Sequence, residues 1–174
     1  MIDDKNDLEP SLFIEKQRFN QWWLWLLLLA INGFSLYRIF QGYNEAGKAN
    51  NAGSWVGLGT TVLVAVLVYS VQLETKISKH GIYVRLFPFH IKLKHYPWSA
   101  LSKIYVRRYN AIPEFGGWGI RFGSNGTAFN VSGNMGLQLE FLNRKRLLIG
   151  TNKAAELTKV IEELNEFQNQ QPAP

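Results

Sequence analysis

The sequence predicts an α+β membrane protein: a transmembrane α-helical hairpin, an antiparallel β domain, and one C-terminal helix. Three observations carry that prediction. Two apolar runs of spanning length lie close together, at residues 22–40 and 54–73. Short runs of alternating polarity, separated by turn residues, fill residues 74–150, as half-buried strands do. The last stretch, "NKAAELTKVIEELNEFQ", places Leu157, Val160, Ile161 and Leu164 on one helical face.

Composition narrows the chemistry. The 174 residues include no cysteine, which excludes disulfides, thiolate metal sites and a cysteine nucleophile. Only 18% are charged while 14% are aromatic, yet mean hydropathy is a near-neutral -0.11, so the apolar residues are concentrated. The aspartates Asp3, Asp4 and Asp7 all lie at the start, in an acidic segment assigned to residues 1–21. After residue 73 the only carboxylates are glutamates, four of them (Glu156, Glu162, Glu163, Glu166) in the C-terminal helix.

The first run, "WWLWLLLLAINGFSLYRIF", carries one charge, Arg38. At about 1.5 Å per residue it reaches roughly 28 Å, against a hydrocarbon core of about 30 Å. Trp22, Trp23 and Trp25 cluster at one end and Tyr37 lies near the other, at headgroup depth. The second run, "SWVGLGTTVLVAVLVYSVQL", has no charge and is edged by Trp55 and Tyr69. Residues 41–53 form a short external loop. The acidic start and the long approach to residue 22 argue against a signal peptide. Lys16, Arg18, Lys76, Lys79 and Arg85 flank one side, whereas the loop offers only Lys48 with Arg38 at its border. That bias puts both termini in the cytoplasm of a multi-pass protein of the cytoplasmic membrane. Gly53, Gly57 and Thr61 recur every four residues, a small-residue stripe for close packing, with Gly33 and Ser35 as the facing surface. Asn32 is expected to hydrogen-bond across the pair.

In the β domain, "ETKIS" and "IYVRLF" flank a turn at "KHG", and Pro88 breaks the next connection. "FHIKLKHY" reads as a strand with His90, Lys92 and Lys94 on one face. Another strand runs through Ile104 and Val106. The glycine-rich stretch "EFGGWGIRFGSNGTAFNVSGNMGLQLEF" reads as strands joined by turns, with Asn125 and Gly126 as a hairpin signal. A phosphate-cradling glycine loop should lead into a helix, whereas these glycines lead into strands. Gly119 marks a bulge or a close backbone approach. The domain is assigned to residues 74–168, followed by a disordered tail at 169–174.

About seven or eight strands and a capping helix resemble a pleckstrin-homology-like (PH-like) domain. "LETKISKHGIYVRLFPFHIKLKHYPWSALSKIYVRRY", with Thr75 and Trp98, resembles the bacterial membrane-anchored form. "GGWGIR", "NVSG" and "GLQLEF…LLIGT" are similar to a narrower two-span subgroup. The resemblance spans roughly residues 22–164. It implies a strongly bent antiparallel sheet, a binding, scaffolding or envelope-related role, and no catalytic residues. The basic loop with which lipid-binding relatives grip phosphoinositides is here only "SKHG".

From residue 74 onward there are 14 Lys and Arg against seven Glu, a net of about +7. Lys76, Lys79, Lys92, Lys94, Arg107 and Arg108 are therefore the candidates for contact with anionic lipid or a partner, at about 1 kcal/mol for each juxtamembrane cation. No helix carries a basic stripe, so nucleic acid is not an expected partner. Enzyme chemistry lacks an inventory: His80, His90 and His95 lie within one short region, and His90 and His95 fall on opposite faces. Glu114 is expected to pair with Arg107, Arg108 or Arg121. Neither a cofactor nor a metal is implied. The functional expectation is a non-enzymatic membrane protein that presents this domain for protein interaction, scaffolding or anionic-lipid contact. Tyr105, Tyr109, Phe115 and Trp118 offer an aromatic contact surface, with core packing the expected use for at least half of them. Homo-oligomerisation is open, and a small oligomeric transport or channel component, motivated by Asn32 and the glycine stripe, is the alternative.

Overall fold

A computed structural model describes residues 11–19, 21–44, 52–123 and 125–170. Two compact units emerge, one of Met1–Arg18 with Gln72–Pro174, the other Phe19–Val71.

The smaller unit is a helical hairpin of α1 (Trp22–Asn44) and α2 (Ala52–Ser70). Among the described residues one helix, Trp22–Gln41, is long and apolar enough to cross a membrane, and Trp55–Ser70 is a shorter apolar helix. The second apolar run was expected to stay helical through residue 73. It ends at Ser70 because Gln72 and Leu73 are already strand, paired on both sides. The expected loop at 41–53 is also shorter, since residues 41–44 and 52–53 are helical.

Asn32 and Thr61 meet as the pattern predicts: the Thr61 hydroxyl donates to Asn32 Oδ1 at 2.8 Å. Asn32 Nδ2 donates to its own helix at Leu28 O, 2.7 Å away. Of the small-residue stripe, Gly57 faces Ser35, 3.9 Å from where a Cβ would sit. Gly33 and Gly53 have nothing within 4 Å of that position, so they are not packing contacts.

The larger unit is α+β. Its first sheet, antiparallel throughout, runs in the order β1 (Phe13–Arg18), β2 (Gln72–Ser78), β3 (Gly81–Phe87), β4 (Lys94–Pro97). The second has five strands in the order β5 (Leu101–Arg108), β8 (Met135–Phe141), β9 (Arg146–Thr151), β7 (Gly126–Asn130), β6 (Gly119–Gly123). All its pairs are antiparallel except β7 with β9, which is parallel and departs from the all-antiparallel expectation. A 3-10 turn, Trp98–Ala100, joins the sheets, and a short α3 (Ala111–Phe115) precedes β6. The final helix, α4 (Ala154–Gln170), includes residues 169 and 170 that were expected in the tail. Residues 171–174 lie outside the described residues.

β1 departs most from the sequence expectation, because it lies inside the segment assigned to a separate acidic N-terminus. It pairs with β2 along its length, from Phe13 opposite Ile77 to Arg18 opposite Gln72. Its inward residues are Phe13, Glu15 and Gln17. The buried Glu15 carboxylate accepts from the Thr151 hydroxyl (2.6 Å) and the Asn152 N–H (2.8 Å), and Gln17 Nε2 donates to Gly150 O (2.7 Å). Three polar contacts thus tie β1 to the end of β9 and the start of α4.

Alternation sorts the remaining strands into faces. Leu73, Ile77, Ile82, Val84 and Leu86 of the first sheet are fully buried, as are Leu137 and Leu139 of the second. Leu157, Ile161 and Leu164 of α4 are buried too. On the other face of the second sheet, Ala128 and Leu148 pack with Tyr109, Ala111 and Phe115, and Trp118 leans on that cluster. Tyr109 and Phe115 thus pack in the core, the use expected for at least half of the four aromatics, and leave the contact surface. Tyr105 is half-buried, its hydroxyl donating to Glu140 at 3.0 Å.

The glycine-rich stretch is strands and turns, as expected, with one addition. α3 closes in a Schellman-type cap, in which Gly116 at φ 74° lets its N–H donate to Ile112 O and that of Gly117 to Ala111 O. The β6–β7 hairpin closes with Gly123 opposite Gly126, so Gly126 already belongs to the strand rather than to the centre of the turn. Gly126 has another reason to be glycine: φ is 107°, and a Cβ would strike the Arg146 carbonyl of β9.

Candidate functional site

Residues 89–96 were expected to form a strand. Only Lys94–Pro97 is strand. The His90 N–H donates back to Leu86 O at 2.7 Å, closing a turn that takes up a group a ladder would need. Lys92 is left exposed in the bend, while His90 and Lys94 turn toward the second sheet. The His90 ring meets Phe129 edge-on with centroids 5.2 Å apart, and Lys94 Nζ lies 5.5 Å from the centre of the same ring.

These two residues form one wall of an open cleft of about 580 Å³. The floor is apolar, built from Tyr96, Ile120, Phe122, Phe129, Phe141 and Leu147. Tyr96 and Phe141 pack tilted, with centroids 5.5 Å apart. The opposite rim is the β8–β9 turn, with Asn143, Lys145 and Arg146. Among the described residues neither Lys94 nor Lys145 has a carboxylate at ion-pair distance, and Arg146 reaches Glu140 only at 4.0 Å. The cleft therefore combines three cations with an aromatic floor.

Protonation sharpens that character. Burial lowers the pKa of His90, and the charge of Lys94 lowers it further, so the ring stays neutral at pH 7. Burial raises the pKa of Tyr96, which keeps its hydroxyl protonated as a donor. At neutral pH the fixed charge of the cleft is positive. Its size matches clefts of roughly 300–1,000 Å³ that hold one small ligand.

The six expected contact cations do not form one surface. Lys94 belongs to the cleft. Lys76 is half-buried along β2, opposite Ile14 and Tyr83. Lys79 is exposed in the β2–β3 turn, seven steps from Gln72, or roughly 23 Å at about 3.3 Å per residue. It is near the hairpin in sequence but at the far end of its strand. Arg107 is engaged: it forms an ion pair with Glu114 at 2.8 Å and donates to Gln138 at 3.0 Å. Burial works to raise the Glu114 pKa, but the hydrogen bonds from Arg107 and the Asn110 N–H, with the Arg107 charge, outweigh it and hold the carboxyl below its usual range. Arg108 is exposed at the end of β5.

Sequence reasoning passed over His90 as a site residue, and Lys145, Arg146, Phe122 and Phe129 altogether. The run "NRKR" in a turn between two apolar strands was the available signal. His90 and His95 lie apart: His95 stacks on Tyr83 with centroids 4.4 Å apart, its Nε2 3.4 Å from the His80 carbonyl, while His90 packs against Phe129. Among the described residues no group of three His, Asp or Glu side chains is placed to hold a metal ion. A second cleft, of about 290 Å³, separates Trp98 and β5 from Ile161 and Leu164 of α4.

Comparison with protein-family models, with curated proteins and with solved structures finds no match for this chain.

Proposed function

We propose that the chain is a two-pass membrane protein that holds a PH-like β domain at the cytoplasmic face and uses it for binding rather than catalysis. One observation carries this reading. β1 precedes both helices and β2 follows both, yet they pair in one ladder with Arg18 opposite Gln72. A bilayer cannot separate two strands of one ladder, because their hydrogen bonds must be made on one side. The hairpin therefore crosses twice or not at all. α1 has the length and composition to cross, so α2 must return. Its 19 residues reach about 28 Å, close to the roughly 30 Å required. Trp25 and Tyr69 pack edge-on at 6.4 Å, an aromatic pair fitted to one membrane interface.

The PH-like reading draws on the two-sheet plan and the C-terminal helix, and on the resemblance of the strand sequences. The binding reading draws on the basic, aromatic cleft. A transport role loses its motivating residue, since Asn32 directs its amide at Leu28 O and at Thr61.

The absence of cysteine makes a clean test possible. Single cysteines replace Leu12, Lys48 and Lys79 in turn, and a membrane-impermeant maleimide is applied to intact cells or spheroplasts. Only Lys48→Cys should be labelled before permeabilisation, and Leu12→Cys and Lys79→Cys only after it. Labelling of position 12 and position 79 from opposite sides would overturn the reading.

A further inference from the structure

The first helix begins four residues after Arg18, and the chain rejoins the sheet two residues after Ser70. Arg18 and Gln72 are register partners, and Gln72 is paired in turn with Phe87. The row Arg18, Gln72, Phe87 is therefore the end of the first sheet tethered to the spans. The turn that begins at this row, residues 87–92, exposes Phe87, Phe89 and Ile91, the last two 64% and 79% accessible. Three large apolar side chains standing in water on one short turn call for an apolar surface to cover them. On the reading above, the bilayer is tethered at that same end, and Lys92 beside them suits an anionic headgroup layer.

The aromatic cleft opens from this turn, since His90 belongs to both. Phe122, 82% accessible at the β6–β7 hairpin, extends the apolar floor to the cleft mouth. Opposite it, Lys145 and Arg146 supply charge, facing Lys94 on the near wall. An apolar floor demands an apolar body, and a rim in which Lys94 and Lys145 have no carboxylate partner among the described residues demands an anionic group. A free inorganic anion would leave the exposed aromatic surface uncovered, and an uncharged hydrocarbon would leave those two lysines without a counter-charge.

We infer that the cleft holds one anionic lipid of the bilayer in which the hairpin sits, its headgroup between Lys94, Lys145 and Arg146 and its chain over Ile120, Phe122 and Phe141. The inference rests on the two-pass reading. The lipid enters past residues 87–92, which dip into the headgroup layer. Specificity is for negative charge rather than for one headgroup shape, because lysine is a flexible point charge.

The test uses the full chain in nanodiscs of zwitterionic lipid with a minority of phosphatidylglycerol whose acyl chain carries a photoreactive group. After irradiation, adducts are mapped by mass spectrometry. The expected result is adducts on peptides covering residues 120–129 and 141–147, in addition to the hairpin. Replacing the anionic probe by a zwitterionic one should remove the cleft adducts and leave those on the hairpin. Lys94→Gln with Lys145→Gln, both at exposed positions that the fold does not depend on, should cut cleft labelling roughly thirtyfold. Millimolar inorganic phosphate should leave labelling unchanged. Adducts confined to the hairpin, equal cleft labelling by both probes, or displacement by phosphate would overturn the lipid site. Failure of the chain to enter nanodiscs would instead overturn the two-pass reading on which it rests.

Discussion

Replacing Glu15 by alanine removes the carboxylate that joins β1 to the start of α4. Glu15 is 5% accessible and accepts two hydrogen bonds, at 2.6 Å from Thr151 and 2.8 Å from the Asn152 N–H. A hydrogen bond to a charged group contributes about 1.5–3 kcal/mol, and donors left buried without an acceptor add to the loss. Recovery of the carboxylate's desolvation cost offsets part of this. The net expected loss is about 3 kcal/mol, or about 12 °C in Tm at roughly 4 °C per kcal/mol. The assay is thermal unfolding of the full chain in detergent, read as protease resistance of the β domain. Glu15→Gln should fall between, since its amide oxygen still accepts from Asn152. The control is Ile14→Ala on the outward face of the same strand, where 46% accessibility implies a shift within about 2 °C. If Glu15→Ala behaves like Ile14→Ala, β1 is not an integral strand of this domain.

Further outcomes are open to measurement. Asn32→Leu removes the interhelical bond to Thr61, whose hydroxyl keeps the Gly57 and Leu58 carbonyls. The expected cost is about 0.6 kcal/mol of hairpin stability, with membrane retention unchanged; loss of a transport activity in that variant would favour the channel alternative. Glu114 has a folded-state pKa below its unfolded value, so its contribution is present above about pH 4.5 and is lost as pH falls through the folded value. Arg107→Gln should flatten that acid limb in a series of unfolding midpoints between about pH 5 and pH 3. Gly126→Ala places a Cβ against the Arg146 carbonyl at φ 107°, and should cost about 1–3 kcal/mol in thermal unfolding while loosening the β7–β9 pair.

Where one face of an element is apolar, the sequence states it plainly. α1 and α2 are nearly uncharged, and β3 and β9 carry leucine, isoleucine and valine into the core. The C-terminal helix shows its buried stripe directly in Leu157, Ile161 and Leu164. β1 hides because its inward positions include Glu15 and Gln17 while Ile14 points outward, which inverts the usual signal. Residues 88–93 mislead in the other direction: their alternation is strand-like, but the His90 N–H is committed to Leu86 O. The parallel pairing of β7 with β9 has no local signature, because it joins strands far apart in sequence; the close approach of Gly126 to the Arg146 carbonyl is seen only in the fold. The cleft was the least legible feature, since it draws on the turn after β3 and on β4, β6, β7, β8 and β9, which meet only in the folded sheet pair. Charge counting found the domain basic but chose Lys76 and Lys79 for nearness in sequence to the spans. That criterion favoured Lys79, at the far end of β2, over Lys145 and Arg146.

The most direct test of the account places cysteines at Ile14 and Lys76, register partners that flank the two helices in sequence. In an otherwise cysteine-free chain, a short bifunctional thiol-reactive reagent, a bis-methanethiosulfonate from which each cysteine thiolate displaces a sulfinate, is applied to membranes that carry the full protein. Opposed positions on neighbouring strands lie about 5 Å apart, so the account predicts an intramolecular crosslink formed only from the cytoplasmic face. Cysteines that never crosslink, or that react from opposite faces, would contradict it.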